Sequence, residues 1–280
     1  MDGGDAGSRR VSRRTVLTAV AGGVVAGGAV TLVAGEKILN RAGRLFADEG
    51  PAGQIPDVPE GRVRLQQVQS DARGREVGFW TAVPDGHGSG AGLPVCLVLH
   101  GASARTEDFD RFGFARFLTA AVREGVPPFV LAGADGGRQR WEGGGPGSDD
   151  DPQRMLAEEI PAWCADLGFD GSRLAAYGWS MGGYGALRAA QLRPDTLRAV
   201  AALSPAVSRD DAVFEDAERL DPDRIGLWCG RSDGVFDEVQ ALAEVLDPAV
   251  AAWDLGAHNR AYWNRITPDA FRHVGGALQG

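Results

Sequence analysis

A serine between glycines is the feature of this sequence with the clearest chemical meaning. Gly178-Trp179-Ser180-Met181-Gly182 matches the pattern G-x-S-x-G. The mostly apolar stretch Arg173–Tyr177 before it predicts a strand, and Met181–Leu187 after it predicts the start of a helix. Small neighbours permit a sharp turn that presents the serine above the sheet. We therefore predict that Ser180 is a nucleophile; the alternative is a serine that merely caps a helix.

A serine hydroxyl is a weak nucleophile at its ordinary pKa, so it needs a general base. The chain has four histidines. Two precede the serine and a third falls within the last predicted helix: His87, His100 and His273. In such a strand–serine–helix turn the catalytic residues follow in the order serine, acid, histidine. His258, between the apolar run Ala249–Leu255 and the last helix, is therefore our predicted base.

The base needs a carboxylate to orient it, and two aspartates are candidates. Asp233 follows the apolar run Arg224–Cys229 and a short turn. That position is the carboxyl end of a strand, where open α/β sheets gather their sites. Asp237 lies at the start of a predicted helix, where an acid ordinarily stabilises the helix dipole. We predict Asp233 and keep Asp237 as the alternative.

Attack on a carbonyl also needs N–H donors for the negative charge that develops on its oxygen. One is the backbone N–H of Met181, directly after the nucleophile. The second is expected from the loop after the apolar run Leu93–Leu99, which begins His100-Gly101-Ala102-Ser103. We predict that the N–H of Ala102 is this donor, with that of Ser103 as the alternative.

Side chains near these groups are candidates for contact with a substrate. We expect a structural or substrate-contact role for His100, and Ser103 follows in the same loop. Trp179 is adjacent to the nucleophile, and Trp141 belongs to a loop, residues 135–151, whose length is typical of lids and binding loops. We predict that these side chains line the substrate pocket. We predict neither a metal site nor an organic cofactor, because acyl transfer through a serine requires neither.

The spacing of apolar runs predicts the scaffold that positions these residues. Six uninterrupted runs are typical of strands buried on both faces: 93–99, 128–133, 173–178, 199–203, 224–229 and 249–255. Helical stretches lie between or after them, at 108–124, 151–167, 181–192, 236–246 and 261–278. This alternation predicts an α/β fold: a doubly wound, mostly parallel sheet with helices on both faces. Two alternating segments, 62–70 and 75–84, predict an antiparallel hairpin before it.

Composition excludes several classes of protein. With 280 residues, 44% of them apolar, the chain is long enough for one large α/β domain. Its formal net charge of −9 leaves no basic footprint for a nucleic acid. The three cysteines are too scattered for a disulfide scaffold or a four-ligand zinc site, and we expect buried free thiols at Cys96, Cys164 and Cys229.

The first 35 residues predict export. Four arginines between residues 9 and 14 precede an uncharged run, Thr15–Gly35, and the string Ser12-Arg13-Arg14-Thr15-Val16-Leu17 resembles a twin-arginine signal. We expect a secreted or envelope-associated protein, with residues 15–35 either cleaved off or kept as a membrane anchor. Residues 36–60, rich in Gly, Pro and acids, predict a linker, and residues 61–280 the catalytic domain.

Several segments together resemble the α/β-hydrolases, and more narrowly the esterase group that includes esterase D and the antigen 85 mycolyltransferases. The segments are His100-Gly101, the ten residues Gly178–Leu187, Leu203–Ala206, Cys229–Asp233 and Gly256–Trp263. The resemblance spans residues 93–278. It implies the α/β-hydrolase fold and serine-ester chemistry, with the nucleophile, acid, base and two N–H donors at the positions predicted above.

One segment departs from the antigen 85 pattern. That group has Asp-Gly-Leu-Arg after the corresponding strand, used on its trehalose acceptor, where this chain has His100–Ser103. The leading expectation is therefore an exported serine hydrolase that cleaves carboxylic esters of small molecules or lipids. The alternatives are an acyltransferase that moves the acyl group to a sugar or envelope lipid, and a non-catalytic envelope-binding protein on the same fold.

Overall fold

Residues 49–143 and 148–279, which the computed structural model describes, contain eight strands in one sheet. Their bounds are β1 Arg62–Ser70, β2 Arg75–Val83, β3 Pro94–Leu99, β4 Val130–Ala134, β5 Asp170–Trp179, β6 Leu197–Leu203, β7 Ile225–Gly230 and β8 Val250–Asp254. The order across the sheet is β1-β2-β4-β3-β5-β6-β7-β8. All six apolar runs and both hairpin segments therefore form strands, as predicted.

Most neighbouring strands run parallel. β3 pairs with β4 and with β5, and β5 to β8 pair in sequence, all in parallel. β1 and β2 form the predicted antiparallel hairpin, and β2 attaches to β4 in antiparallel register, with Phe79 opposite Ala134. The carboxyl ends of β3 to β8 therefore meet at one edge of the sheet, together with the start of β2. The loops that carry the predicted site residues all leave this edge.

Helices cover both faces of the sheet. They are α1 Phe109–Phe112, α2 Phe114–Arg123, α3 Pro152–Arg154, α4 Ile160–Asp166, α5 Met181–Leu192, α6 Ala212–Glu215, α7 Phe236–Leu246 and α8 Arg260–Ala277. Apolar side chains of α1, α2 and α8 share one core, and those of α4, α5 and α7 share the other. On β3, Val98 belongs to the first core and Leu97 to the second, as the alternation of a strand requires. The predicted doubly wound architecture is confirmed.

Two of the predicted helices are interrupted. The stretch predicted at 108–124 divides at Gly113, whose φ of +76° is left-handed and whose missing Cβ would lie 2.5 Å from Ile55 Cγ2. The stretch predicted at 151–167 contains a π-helical segment, Met155–Glu159, between α3 and α4. Pro161, which has no N–H to donate, follows that segment and helps to shift the hydrogen-bond pattern. The unpredicted helix α6 has only four residues, too few for a periodic pattern.

The described part of the predicted linker, residues 49–60, has no helix or strand but packs along the start of α8. Gly53 N donates to Ala261 O at 2.8 Å, and Asn259 Nδ2 donates to Glu49 Oε2 at 3.0 Å. The predicted signal and the rest of the linker, residues 1–48, lie outside the described residues. None of the helices in the described part of the chain is both long and apolar enough to cross a bilayer.

All three cysteines are buried and free. Burial raises the pKa of the Cys164 thiol to about 12 and raises the pKa of the other two thiols in the same direction. The thiols therefore stay protonated and unreactive at neutral pH. The expectation of buried free thiols is confirmed.

Candidate active site

Ser180 lies in the sharp turn between β5 and α5. Its backbone has φ +55° and ψ −123°, a positive-φ conformation that is strained for a residue with a side chain. Both glycines of the motif are required by close backbone contact. A Cβ on Gly182 would overlap Leu99 O, and a Cβ on Gly178 would overlap Gly182 O. The local sequence thus permits a turn that few other residues could form.

Side chains from the ends of β5, β7 and β8 form a chain of hydrogen bonds. His258 Nε2 lies 2.8 Å from Ser180 Oγ, and His258 Nδ1 lies 3.0 Å from each carboxylate oxygen of Asp233. An ionised carboxylate only accepts, so Nδ1 carries the proton and Nε2 is the atom that can take one from the serine. Asp237, the alternative acid, is exposed in the first turn of α7. The structure brings Asp233, and not Asp237, to the histidine.

The Asp233 side chain is fully buried. One of its oxygens also accepts from the backbone N–H of Val235 at 3.1 Å. A carboxylate removed from water needs such partners, because desolvation disfavours its charge. The histidine and this N–H together keep the carboxylate oriented.

Trp263 packs against the imidazole of His258, and Ser204 holds Trp263 in place. The rings of Trp263 and His258 meet edge to face, with centroids 5.0 Å apart. Trp263 Nε1 donates to Ser204 Oγ at 3.1 Å, which fixes the indole. The sequence patterns did not predict a role for Ser204. Its position was the available signal, because it follows β6, the strand between those that carry Ser180 and Asp233.

Two backbone segments with predicted N–H donors contact the serine. Met181 is the first residue of α5, and the first N–H groups of a helix have no acceptor within it. The loop after β3 lies against the nucleophile, since a Cβ on Gly101 would be 3.4 Å from Ser180 Cβ. The next N–H in that loop belongs to Ala102. Both predicted donors therefore belong to segments that meet at Ser180.

His100, 1% exposed, holds the loop after β3. Its Nε2 accepts from Gly136 N at 3.0 Å, so the proton is on Nδ1, which donates to Gly101 O at 2.9 Å. Burial lowers the pKa of His100, which favours this neutral form. A trans peptide points its C=O and N–H in opposite directions. The bond to Gly101 O therefore fixes the direction of the Ala102 N–H, which makes His100 a positioning residue.

Trp141 anchors the loop that follows β4. Its ring is fully buried against Gly136 and Gly185, and its Nε1 donates to His100 O at 3.0 Å. Its backbone has a left-handed φ of +61°, a strain that the buried ring offsets. The prediction that Trp141 lines the pocket is wrong, because its side chain offers a substrate no exposed surface.

Trp179 is also buried, 2% exposed. Its ring packs against Phe112, Phe114 and Trp263, with centroids 4.9, 5.5 and 6.3 Å away. As the last residue of β5, it points towards α1, α2 and α8, whereas Ser180 leaves the strand at the turn. The prediction that Trp179 forms a pocket wall is therefore wrong as well; the side chain packs the turn onto the helices.

Ser103 is exposed and lines a cavity of about 360 Å³ with Ala102 and His100. The structure thus places two of the four predicted substrate contacts, Ser103 and His100, at a cavity beside the loop after β3. Within the two described ranges, no three His, Cys, Asp or Glu side chains come together in a way that could hold a metal ion.

Residues 70–273 match a protein-family model described as "Putative esterase". The chain belongs to this family. Membership makes this esterase a hydrolase of the carboxylesterase type and confirms the resemblance noted in the sequence. The matched region includes Ser180, Asp233 and His258. A search of curated proteins found no significant match.

Solved structures of other esterases share the fold of this esterase. An S-formylglutathione hydrolase from Agrobacterium tumefaciens has a TM-score of 0.63 and 17% identity, over 82% of this chain and 100% of that one. A ferulic acid esterase from Anaeromyces mucronatus has a TM-score of 0.64 and 18% identity, over 80% and 94%. An S-formylglutathione hydrolase from Staphylococcus aureus has a TM-score of 0.60 and 14% identity, over 77% and 100%. These likenesses confirm the predicted α/β-hydrolase fold.

Proposed function

We propose that this esterase cleaves carboxylic esters of small molecules or lipids through an acyl-enzyme on Ser180. The observation that carries the proposal is the hydrogen-bond chain from Ser180 Oγ through His258 to Asp233, with distances of 2.8 and 3.0 Å. A serine becomes a strong nucleophile when a base accepts its proton during attack. The base works in this way when a carboxylate on its other nitrogen holds it in the correct tautomer.

Acylation starts with proton transfer from Ser180 Oγ to His258 Nε2 as the oxygen attacks the ester carbonyl. The carbonyl oxygen becomes negatively charged, and the N–H groups of Met181 and Ala102 stabilise it. Asp233 stabilises the imidazolium that forms at the same time. His258 Nε2 then gives its proton to the leaving alcohol oxygen, the ester C–O bond breaks, and the acyl group stays on Ser180.

Deacylation reverses the roles with water as the nucleophile. His258 Nε2 takes a proton from a water molecule, whose oxygen attacks the acyl carbonyl. The same two N–H groups hold the second oxyanion. When the bond between the acyl carbon and Ser180 Oγ breaks, His258 returns the proton to the serine and the free acid leaves.

Labelling with a fluorophosphonate tests the nucleophile. We expect mass spectrometry of the full chain to show one adduct on Ser180, and the unlabelled chain to hydrolyse a series of 4-nitrophenyl esters. Ser180→Ala should lose the adduct and about 10⁴-fold or more of kcat. Ser208→Ala, at an exposed serine, is the matched control and should keep both. An adduct on a different serine, or turnover by Ser180→Ala, would contradict the proposal.

We also propose that the chain is exported through a twin-arginine signal. The support is sequence alone: Ser12–Leu17 and the uncharged run Thr15–Gly35, both outside the described residues. Replacing Arg13 and Arg14 together by Lys should leave the protein in the cytoplasm. The same exchange at Arg9 and Arg10 serves as the control. Unchanged amounts in the envelope or medium after the Arg13 and Arg14 exchange would refute this route.

A further inference from the structure

We propose that the cavity beside the loop after β3 is a subsite for a carboxylate carried by the acyl part of the ester. This inference rests on the proposed function, because it names the acyl class that the same active site takes. The cavity has a volume of about 360 Å³. It begins at Ala102 and Ser103, next to the proposed oxyanion donor. We call it the arginine cavity, after its lining residues Arg75, Arg105 and Arg138.

Two of the three arginines have no acidic partner among the residues that the structure describes. Arg75 Nη1 lies 3.0 Å from Asp150 Oδ2. The guanidinium groups of Arg105 and Arg138 form no ion pair with any carboxylate in the described part of the chain, and both residues are exposed. A planar guanidinium offers a fork of N–H donors that matches a carboxylate. Arg105 and Arg138 are therefore the residues that a substrate carboxylate would meet.

The acidic residues of the lining do not cancel this charge. Asp135 is turned towards backbone and hydroxyl donors: its oxygens accept from Thr106 N at 2.9 Å, Thr106 Oγ1 at 3.1 Å and Gly78 N at 3.2 Å. Glu76 is exposed at the start of β2. Asp150 pairs with Arg75 and also with the buried Arg73, so the lining and these two partners together hold four arginines and three acids, in a chain whose formal net charge is −9. A locally positive cavity on an acidic protein concentrates anions at that place.

The order of the strands assigns the anion to the acyl part. Asp233 and His258 follow β7 and β8, on one side of the strand that carries Ser180. The arginine cavity is lined by the start of β2 and the loops after β3 and β4, all on the other side. His258 must protonate the leaving oxygen, so the alcohol lies on the side of the histidine. The acyl chain then extends past the Ala102 N–H into the arginine cavity.

Two esters with acyl chains of equal length test this assignment: the mono-4-nitrophenyl ester of adipic acid, which ends in a carboxylate, and 4-nitrophenyl hexanoate, which ends in a methyl group. With the full chain we expect kcat/KM to be about tenfold higher for the adipate ester, the size of effect that a charge-assisted hydrogen bond produces. High salt should reduce the preference, because salt screens exposed charges.

Exchanges at the two exposed arginines test whether their side chains cause the preference for the adipate ester. Arg105→Gln combined with Arg138→Gln should lower the ratio of adipate to hexanoate kcat/KM by about tenfold, while the corresponding double exchange to Lys, which keeps the charge, should retain part of it. Arg62→Gln, at the far end of β1, is the matched control and should leave the ratio unchanged. Both cavity arginines are exposed, so the variants should fold, and hexanoate turnover reports this directly.

Each contrary result has its own meaning. Hexanoate turnover without an adipate preference, or with a preference that survives in the double Gln variant, overturns the subsite and leaves the proposed function standing. A preference for 4-carboxyphenyl hexanoate over phenyl hexanoate that the double variant abolishes would put the anion on the alcohol and overturn the acyl assignment. No turnover of any ester would overturn the proposed function, and the subsite with it.

Discussion

The indole Nε1 of Trp141 donates a hydrogen bond to the carbonyl oxygen of His100 at 3.0 Å. This bond joins the loop after β4 to the loop after β3, which carries the Ala102 N–H. Because the Trp141 ring is fully buried, packing and the hydrogen bond act together on the position of that N–H. A side chain that no substrate can touch thus helps to arrange the group that we propose to bind the oxyanion.

Trp141→Phe keeps an aromatic ring in the core but removes the hydrogen bond. The His100 carbonyl then loses a partner in the core, and the loop after β3 becomes less well held. We expect kcat to fall by about tenfold with a much smaller change in KM, because an oxyanion donor matters most in the transition state. Trp80→Phe is the control: it loses a similar bond, from Nε1 to Asp110 Oδ1 at 2.9 Å, away from the site. Equal losses of kcat in both variants would contradict the role of Trp141.

Gly182→Ala should damage the site through the backbone. Its Cβ would overlap Leu99 O, so α5 or the end of β3 must move, and the two N–H donors would no longer face the same point. We expect kcat to fall by about 100-fold or more. Gly276→Ala, in α8 with no atom within 4 Å of the new Cβ, should keep full activity and gain up to about 1 kcal/mol in the free energy of unfolding. Wild-type kcat in Gly182→Ala would refute the steric argument.

Asp233→Asn preserves the shape of the acid but not its charge. The amide can donate to Nδ1 and so favour the wrong tautomer of His258. We expect kcat to fall by about three to four orders of magnitude, with little change in the melting temperature. Asp237→Asn, at the exposed alternative, should keep its activity within about twofold, because a surface acid at a helix start acts only on stability. The reverse order of effects would reassign the acid.

The stability of the fold should decline as the pH falls below about 6.5. Burial lowers the pKa of both His100 and His273, so the unfolded chain binds protons in this range that the folded chain does not. The free energy of unfolding is therefore highest above the unfolded pKa and decreases on acidification. Urea unfolding at pH 7.5 and 5.5 measures the difference. His273→Gln should make this difference in the free energy of unfolding smaller, because it removes one of the two titrating groups. Gln can still donate to Arg224 O, which lies 3.2 Å from the imidazole, so the variant should keep this hydrogen bond. A wild-type protein equally stable at both pH values would exclude this linkage.

Local sequence patterns predicted most of the scaffold. The bounds of α5 and α7 agree with the prediction, because each helix follows a turn directly and ends where its apolar pattern ends. The three residues of the hydrogen-bond chain were also predictable. Ser180 lies in a recognisable turn, and the order of residues along the chain leaves one histidine in a suitable place. Asp233 is favoured over Asp237 by its position after a strand and a short turn.

The two tryptophans show what sequence could not supply. Trp179 is next to the nucleophile in the chain, yet its side chain points to a core that α1, α2 and α8 build from distant residues. Trp141 lies in a loop without periodicity, and its burial depends on Gly185, which is far away in sequence but leaves space for the ring. In both cases tertiary packing decides, and adjacency along the chain is a poor guide to contact with a substrate.

The three buried free thiols have a consequence for where this protein folds. With no disulfide to form, the chain reaches its native state without an oxidant or an isomerase, and the reducing environment of a cytoplasm is no obstacle to it. A protein of this kind can complete its core before the export that we propose. That order of events matches what a twin-arginine route requires of its cargo, whereas a scaffold dependent on oxidation would have to cross the membrane first.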